Sequence, residues 1–300
     1  MASYAAPKEP VQRAPRIPAH VLVIGSISSV QVGAAWATTI FNAVGASGAC
    51  LLRLASASVV MLVVTRPKLR SLTRQQALTA CALGLILAVM NLTFYEAISR
   101  IPLGTAVTIE FVGPLLVALL GSRHRRDLLW AALAAGGIVA LCHGIAHGTD
   151  VLGLVLAAMA GLCWAGYILV QAQLGKAFRD SSGLALAMTG AAFVALPFGA
   201  SAGAGNLLVA GTLGTGVAVG MLSSAIPYSL ELKALRSLST ATFGVLMSLE
   251  PAAAALAGAV VIGQTITARD ALGIGLVVVA SLGASLTASP PPPEPLNVAA

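Results

Sequence analysis

Charged residues are scarce in this chain. Only 9% of its 300 residues are Asp, Glu, Lys or Arg, whereas 58% are hydrophobic. A typical soluble domain carries about 25% charged residues. So large an excess of apolar side chains excludes a soluble globular domain, because such a surface is stable only in lipid. The composition therefore predicts an all-α integral membrane protein.

The motifs of enzymes, metal sites and ATP-driven pumps are also missing. The sequence has no HExxH, GxSxG, GxGxxG or P-loop pattern, and its four cysteines form no CxxC pair. His143 and His147 have a spacing open to two metal ligands on one helix face, but no third histidine lies near them. We therefore expect no cofactor, no bound metal and no enzymatic activity. Without a P-loop the chain cannot use ATP as a pump does, so any transport across a membrane would depend on ion coupling or on facilitated diffusion.

The net charge of +7 does not indicate a nucleic-acid partner. The basic residues sit in short loops between apolar stretches and form no basic face. A window of about 19 residues finds ten such stretches, each of the length of a membrane span. We predict transmembrane helices at residues 21–41, 46–64, 78–98, 103–120, 128–146, 151–174, 183–199, 207–230, 240–261 and 271–288.

Lys and Arg lie mainly on one side of this arrangement. With the N-terminus in the cytoplasm, 14 of the 17 fall in cytoplasmic segments, as the positive-inside rule requires. Ten spans place the C-terminus on the same side. Residues 1–20 are then a cytoplasmic segment without a cleavable signal peptide. Residues 289–300 are a Pro-rich tail that we expect to be disordered.

Two sequence echoes indicate an internal repeat. One pairs the fourth span with the ninth by placing Pro114 over Pro251, and the other pairs the first with the sixth by placing Trp36 over Trp164. Because each half holds five helices, an odd number, the halves insert in opposite senses, as in many secondary transporters. The predicted inverted five-helix repeats are residues 21–146 and 151–288.

Three charged residues lie well inside predicted spans, whereas a fourth, Glu96, lies near the end of its span. Arg53 and Glu110 are each the eighth residue of their span from the outer side, about 10–11 Å deep at 1.5 Å per residue. Glu250 lies near the middle of the ninth span. A charge at such depth costs at least about 2.5–3.5 kcal/mol, so each side chain should face the helix bundle or a wet cavity. Either Arg53 and Glu110 form a static ion pair, or these residues bind substrate and Glu250 exchanges protons.

Two prolines lie beside these carboxylates. Pro114 removes the hydrogen bond to the carbonyl of Glu110, four residues earlier, and Pro251 does the same to Met247. Freed carbonyls are tolerated in a bilayer where they line protein or water. We predict helix breaks at both prolines, with the freed carbonyls beside a binding site. An ordinary kink is the alternative, although a kink and a binding site are not exclusive. Further candidates for substrate binding or coupling are Asn91, Tyr95, Trp164, Tyr228 and Glu231.

Several segments carry a resemblance to a known family. They are SVQVGA at 29–34, RLA at 53–55, IPLGTAV at 101–107, IEFVGPL at 109–115, GLCWAGYI at 161–168, IPYSLE at 226–231 and TFGVLMSLEP at 242–251. With these segments the chain, over residues 20–288, resembles the bacterial threonine/homoserine exporters of the drug/metabolite transporter superfamily, EamA type.

The resemblance implies ten helices in two inverted halves, both termini in the cytoplasm, and a bacterial inner-membrane location. It also implies export of small amino acids driven by proton exchange. Arg53, Glu110, Glu231 and Glu250 match polar positions of the family motifs, whereas Glu96 stands where a neutral residue is expected and receives no role.

The first hypothesis is thus a secondary exporter of small amino acids such as threonine and homoserine, working by proton antiport. Arg53 would contact the substrate carboxylate, and Glu110 or Glu250 the ammonium group. The alternatives are an exporter of other metabolites or toxic analogues, a channel, and an integral-membrane enzyme. The expected partners are an amino acid, protons and the lipid bilayer; the sequence leaves the oligomeric state open.

Overall fold

A computed structural model describes residues 17–67, 72–120, 127–142, 150–178, 180–203, 205–227, 230, 234 and 246–287. Every regular element in these ranges is a helix, which confirms the all-α prediction for this part of the chain. The helices are α1 (Ala19–Ala37), α2 (Phe41–Thr65), α3 (Arg74–Ile98), α4 (Leu103–Glu110), α5 (Val112–Leu120), α6 (Asp127–Cys142), α7 (Val151–Ala177), α8 (Ser182–Gly203), α9 (Ala210–Gly220), α10 (Glu250–Ile262) and α11 (Ala268–Thr287). A 3-10 turn, Thr38–Ile40, joins α1 to α2, and a π-helical turn, Met221–Ala225, follows α9.

The first two helices are joined almost without a break and yet run in opposite directions. Gly45, near the start of α2, has φ 70° and ψ 169°, a left-handed conformation that favours glycine and takes the chain out of the helix. Both helices contact the segment that runs from α9 to Pro227. Towards the C-terminal end of this segment, the contacting residues of α2 have higher numbers and those of α1 have lower numbers. The facing pairs are Leu52 with Gly216, Ser56 with Gly220, Gly33 with Ser223, and Ser26 with Pro227. The apolar segment Ala19–Thr65, which is 47 residues long, therefore forms two antiparallel helices.

The predicted span at residues 103–120 is two helices. Helix α4 ends at Glu110, and α5 begins at Val112. Pro114 has no N–H to offer the carbonyl of Glu110, so the helix is interrupted one residue after the carboxylate, at Phe111. The break places Glu110 at the C-terminal end of α4.

A second break precedes α10. A turn at Ser248 and Leu249 comes before the helix, whose first residue is Glu250 and whose second is Pro251. A proline in the first helical turn costs no hydrogen bond, because that N–H has no partner within the helix in any case. Glu250 therefore lies at the N-terminal end of its helix.

Small residues form the closest contacts between helices. A Cβ added at many of the glycines would collide with the neighbouring helix, which shows how closely the backbones approach. The facing pairs are Gly203 with Val44, Gly199 with Leu51, Gly84 with Ala187, Gly104 with Ala255, and Gly137 with Gly273. Packing of this kind is typical of helices in lipid, where apolar burial does not drive association.

Polarity is distributed as in a membrane protein. Large apolar side chains are exposed, with Leu208 at 85% and Val260 at 83%. Polar side chains such as Ser26, Gln31 and Ser248 are buried inside the bundle. Four helical segments in the described residues are long and apolar enough to cross a membrane, namely Ala19–Thr65, Arg74–Ile98, Val151–Ala177 and Ser182–Gly203. The chain is thus a membrane protein.

Some predictions lie outside the described residues. They concern the N-terminal segment up to residue 16, the tail after residue 287, and the side chains of His143, His147, Tyr228 and Glu231.

Candidate substrate site

A cavity of about 110 Å³ lies within the bundle, between α1, α2, α3, α4, α7 and α10. Apolar side chains form part of its wall. Its polar and amphipathic lining residues are Gln31, Arg53, Asn91, Glu110, Trp164 and Glu250. The structure therefore brings together one guanidinium and two carboxylates from helices far apart in the sequence.

Arg53 extends from α2 into this cavity and is held from two sides. Its Nη2 donates a hydrogen bond of 3.3 Å to the carbonyl of Ser223, in the π-helical turn. Its guanidinium carbon lies 5.6 Å from the ring centroid of Tyr95, a cation–π distance. Tyr95 is fully buried and packs against Phe41 and Phe94 at ring distances of 5.9 and 6.2 Å. These contacts fix the guanidinium at one wall of the cavity.

Glu250 is 6% exposed and is bound by a side chain of α1. The Nε2 of Gln31 donates a hydrogen bond of 3.1 Å to its Oε1. As the first residue of α10, the carboxylate also lies at the positive end of the helix dipole. Glu250 is therefore held at the cavity wall by a hydrogen bond from α1.

Glu110 is 8% exposed and has a different setting. It ends α4, where the dipole disfavours a negative charge. Glu250 repels its charge and Arg53 attracts it. Within the part of the chain that the structure describes, Glu110 has no cationic partner within 4 Å, so the static Arg53–Glu110 ion pair considered above is not formed. Arg53 and Glu110 face the same space instead.

The backbone of Glu110 lies directly against α7. A Cβ added at Gly161 would lie 2.7 Å from the Glu110 carbonyl oxygen and 3.2 Å from its Cα. Gly113, just after the helix break, would collide with the carbonyl of Gly161 in the same way. The two glycines thus allow the broken helix to touch α7, and this contact sets the position of the Glu110 side chain.

Two further lining residues of the cavity, Asn91 and Trp164, carry no charge. Asn91 donates its amide N–H to the carbonyl of Leu87, one turn earlier in α3, at 2.8 Å. Trp164 packs edge-on against Phe111, with ring centroids 5.5 Å apart at 83°. The indole therefore forms an apolar wall beside the α4 break.

The sequence matches known transporters over most of its length. The model of the EamA-like transporter family matches residues 151–286. The threonine/homoserine exporter RhtA of Salmonella typhimurium (strain SL1344) is 40% identical over 274 residues, which cover 90% of this chain and 92% of that protein. The exporter of the same name from Escherichia coli (strain K12) is 39% identical over 270 residues, covering 89% and 91%. This chain belongs to the EamA-like transporter family.

The family membership confirms the resemblance found in the sequence, and it makes the protein a membrane transporter rather than an enzyme. A crystal structure of a protein aligns with 90% of this transporter, and the alignment covers 97% of that chain. Its TM-score is 0.62 at 17% identity, so this likeness supports the fold alone.

Most candidate residues named from the sequence of the transporter meet at one place. Arg53, Asn91, Glu110, Trp164 and Glu250 all line the cavity. Tyr95 lies behind Arg53 rather than in the lining. Tyr228 and Glu231 lie outside the described residues.

Sequence reasoning missed Gln31. Gln31 lies in the first span, within the SVQVGA segment, and its amide is uncharged, so the rule for charged residues does not identify it. Its signal was available, since a long polar side chain in the middle of an apolar span needs a buried partner. Ser223 was missed for another reason: it acts through its backbone carbonyl, which no sequence pattern marks.

Proposed function

We propose that this transporter exports small amino acids such as threonine and homoserine from the cytoplasm, in exchange for protons. The observation that carries the proposal is the grouping of Arg53, Glu110 and Glu250 around one cavity. A zwitterionic amino acid needs a cation for its carboxylate and an anion for its ammonium group. The cavity offers both, and the relatives named above are threonine/homoserine exporters.

The polar groups divide naturally between the two ends of the substrate. Arg53 offers a planar fork that suits a carboxylate. Glu110 and Glu250 offer two negative charges for one ammonium group. Among the described lining residues, ionised Arg53, Glu110 and Glu250 together carry one excess negative charge, which one proton neutralises. The ammonium group of the substrate and a proton both bind to these carboxylates, so the two can compete for a carboxylate, as an antiporter requires.

The size of the cavity supports a small solute. Pockets for drug-sized ligands measure about 300–1,000 Å³, whereas this one measures about 110 Å³. A cavity of this size favours an amino acid over a bulky toxic compound.

The proposal includes ten spans in two inverted repeats, residues 21–146 and 151–288. The helix breaks support it, because Phe111 and Ser248 fall at the same position when Pro114 is placed over Pro251. Helices α4 and α10 also run antiparallel, since Gly104 meets Ala255 and Leu103 meets Gly258.

The proposed location is the bacterial inner membrane, with both termini in the cytoplasm. The distribution of Lys and Arg supports this orientation. A reporter that is active only in the cytoplasm should be active when it is fused after Ala288. Activity of a periplasm-only reporter at that position would contradict the cytoplasmic C-terminus and, with the N-terminus in the cytoplasm, the even number of spans.

Counterflow in liposomes tests the substrate. The purified full-length protein is reconstituted in liposomes loaded with threonine or homoserine, and entry of labelled amino acid is followed. Exchange should saturate, and it should be lost in Arg53→Ala. A matched control is Arg100→Ala, because Arg100 pairs with Asp150 at 3.0 Å on the protein surface, away from the cavity.

Each other outcome points to another function. Exchange of other metabolites without threonine or homoserine would support the broader exporter. Flux that does not saturate and shows no counterflow would support a channel. For coupling, an imposed pH gradient should drive uphill accumulation; accumulation that is insensitive to the gradient would reject proton antiport.

A further inference from the structure

We infer that Gln31 is a substrate-binding residue whose side-chain carbonyl accepts a hydrogen bond from the hydroxyl group of the transported amino acid. This inference rests on the proposed function and adds the determinant of its specificity. It concerns a neutral residue of α1 that lines the same cavity as the charged groups.

The two ends of the Gln31 amide have different surroundings. The side chain is 2% exposed. Its Nε2 donates to Glu250 at 3.1 Å, while its Oε1 is buried and accepts no hydrogen bond in the described part of the chain. An ionised carboxylate only accepts hydrogen bonds, so the amide nitrogen must be the end that faces Glu250. The side-chain carbonyl of Gln31 therefore has no hydrogen-bond donor among the described residues.

A buried carbonyl without a donor is unfavourable, and most such groups in proteins have a partner. The location of Gln31 explains the exception. Gln31 belongs to the cavity wall, and its oxygen is buried in this conformation, so a ligand in the cavity would supply the missing donor once the amide turns towards it. Gln171 on α7 also has a buried Oε1 that accepts no hydrogen bond from the described residues, but it does not line this cavity.

The hydroxyl is the ligand group that remains for this acceptor. Arg53 takes the carboxylate, and the ammonium group is drawn to the two carboxylates rather than to a neutral amide oxygen. Threonine and homoserine each carry one further hydrogen-bond donor, a hydroxyl on the side chain. The Gln31 carbonyl therefore selects amino acids with a hydroxyl over isosteric ones with a methyl group.

The contrast between matched substrates measures this selection. Valine replaces the hydroxyl of threonine with a methyl group, and norvaline does the same for homoserine. A site that bonds a hydroxyl discriminates against an analogue that leaves its acceptor unpaired. We expect the wild-type protein to prefer threonine over valine, and homoserine over norvaline, by about tenfold or more in counterflow kcat/KM.

The test compares Gln31→Met with Gln171→Met, each in the full-length protein in liposomes. Methionine keeps the length of the side chain and removes the amide. The two preferences should fall below about threefold in Gln31→Met and stay at the wild-type value in Gln171→Met. If Gln31 served only to position Glu250, the loss of its N–H would slow all four substrates equally and leave the ratios unchanged.

The possible results separate this inference from the proposed function. Unchanged ratios in Gln31→Met, or a wild-type protein without a preference for the hydroxyl, would overturn the inference while threonine exchange still supported an amino acid exporter. A wild-type protein that exchanges neither threonine nor homoserine would overturn both. If Gln31→Met does not fold, Gln31→Asn decides, because its carbonyl is withdrawn by one methylene: reduced ratios support the inference and full retention rejects it.

Discussion

The contact between Gly161 and Glu110 offers a sharp test of how the site is held. In Gly161→Ala the new Cβ would lie 2.7 Å from the Glu110 carbonyl oxygen, where ordinary van der Waals contacts begin at 3.4 Å. The backbones of α4 and α7 must therefore separate by roughly 0.7 Å, the difference between those two distances. The Glu110 atoms that the new Cβ meets, the carbonyl oxygen and Cα, belong to the backbone. No side-chain rotation can therefore relieve the collision.

The magnitude follows from two opposing effects. Overpacking a tight contact costs about 1–3 kcal/mol, and alanine regains about 0.5–1 kcal/mol over glycine inside a helix. Gly175 lies in the same helix and has no atom within 4 Å of an added Cβ. Gly175→Ala therefore receives only the helix gain. Because that gain is common to both variants, Gly161→Ala should be less stable than Gly175→Ala by about 1–3 kcal/mol.

Two assays read out this difference. The free energy of unfolding in mixed micelles gives the stability, and threonine counterflow gives the function. Displacements near 1 Å can cost about a hundredfold in a positioned chemical step, so we expect exchange by Gly161→Ala to fall by about tenfold or more while Gly175→Ala transports normally. Equal stability and equal transport in the two variants would refute the proposed close contact.

Three further predictions concern charged residues. Arg53→Ala should abolish counterflow, and Arg53→Lys should retain it only in part, because a point charge replaces a planar fork. Recovery of counterflow in the double variant Arg53→Ala with Glu110→Gln would argue against a contact between Arg53 and the substrate. Glu250→Gln should lose accumulation driven by a pH gradient but keep exchange without one, and undiminished uphill transport would exclude Glu250 from coupling. Hydrogen bonds from Arg100 and from the backbone of Gly153 hold the pKa of the Asp150 carboxyl below its ordinary value of 3.8. Asp150 should therefore stabilise the protein at neutral pH, and the Tm difference from Asp150→Asn should disappear as the pH falls below 3.8.

Part of the fold could be predicted from local sequence. The first predicted span ends at residue 41 and the second begins at residue 46. The backbone leaves the helical conformation at Gly45, between the two. The prolines indicated where two helices are interrupted, because a missing N–H acts on the carbonyl four residues earlier wherever the helix lies. The prediction placed one break at Pro114, whereas the structure places it three residues earlier, at Phe111.

The cost of charge in lipid made the candidate site partly predictable. Arg53, Glu110 and Glu250 could be named from the sequence because a charged side chain inside an apolar span must face the protein interior. Gln31 carries no charge; its place in an apolar span indicates a buried partner, but only the structure shows that this partner is Glu250, 219 positions away in the chain.

The sequence by itself determined that this protein is a helical membrane protein, and which side chains are too costly to face lipid. Composition and span length suffice for that, because the bilayer penalises every unpaired polar group in the same way. The tertiary structure alone decided which of those groups share a cavity, and that Glu250 bonds to Gln31 while Glu110 faces Arg53 without an ion pair. The helices are apolar on all sides, so no periodic pattern reveals the face that meets a neighbour. Contacts between distant glycines set those faces, and they exist only once the bundle has formed.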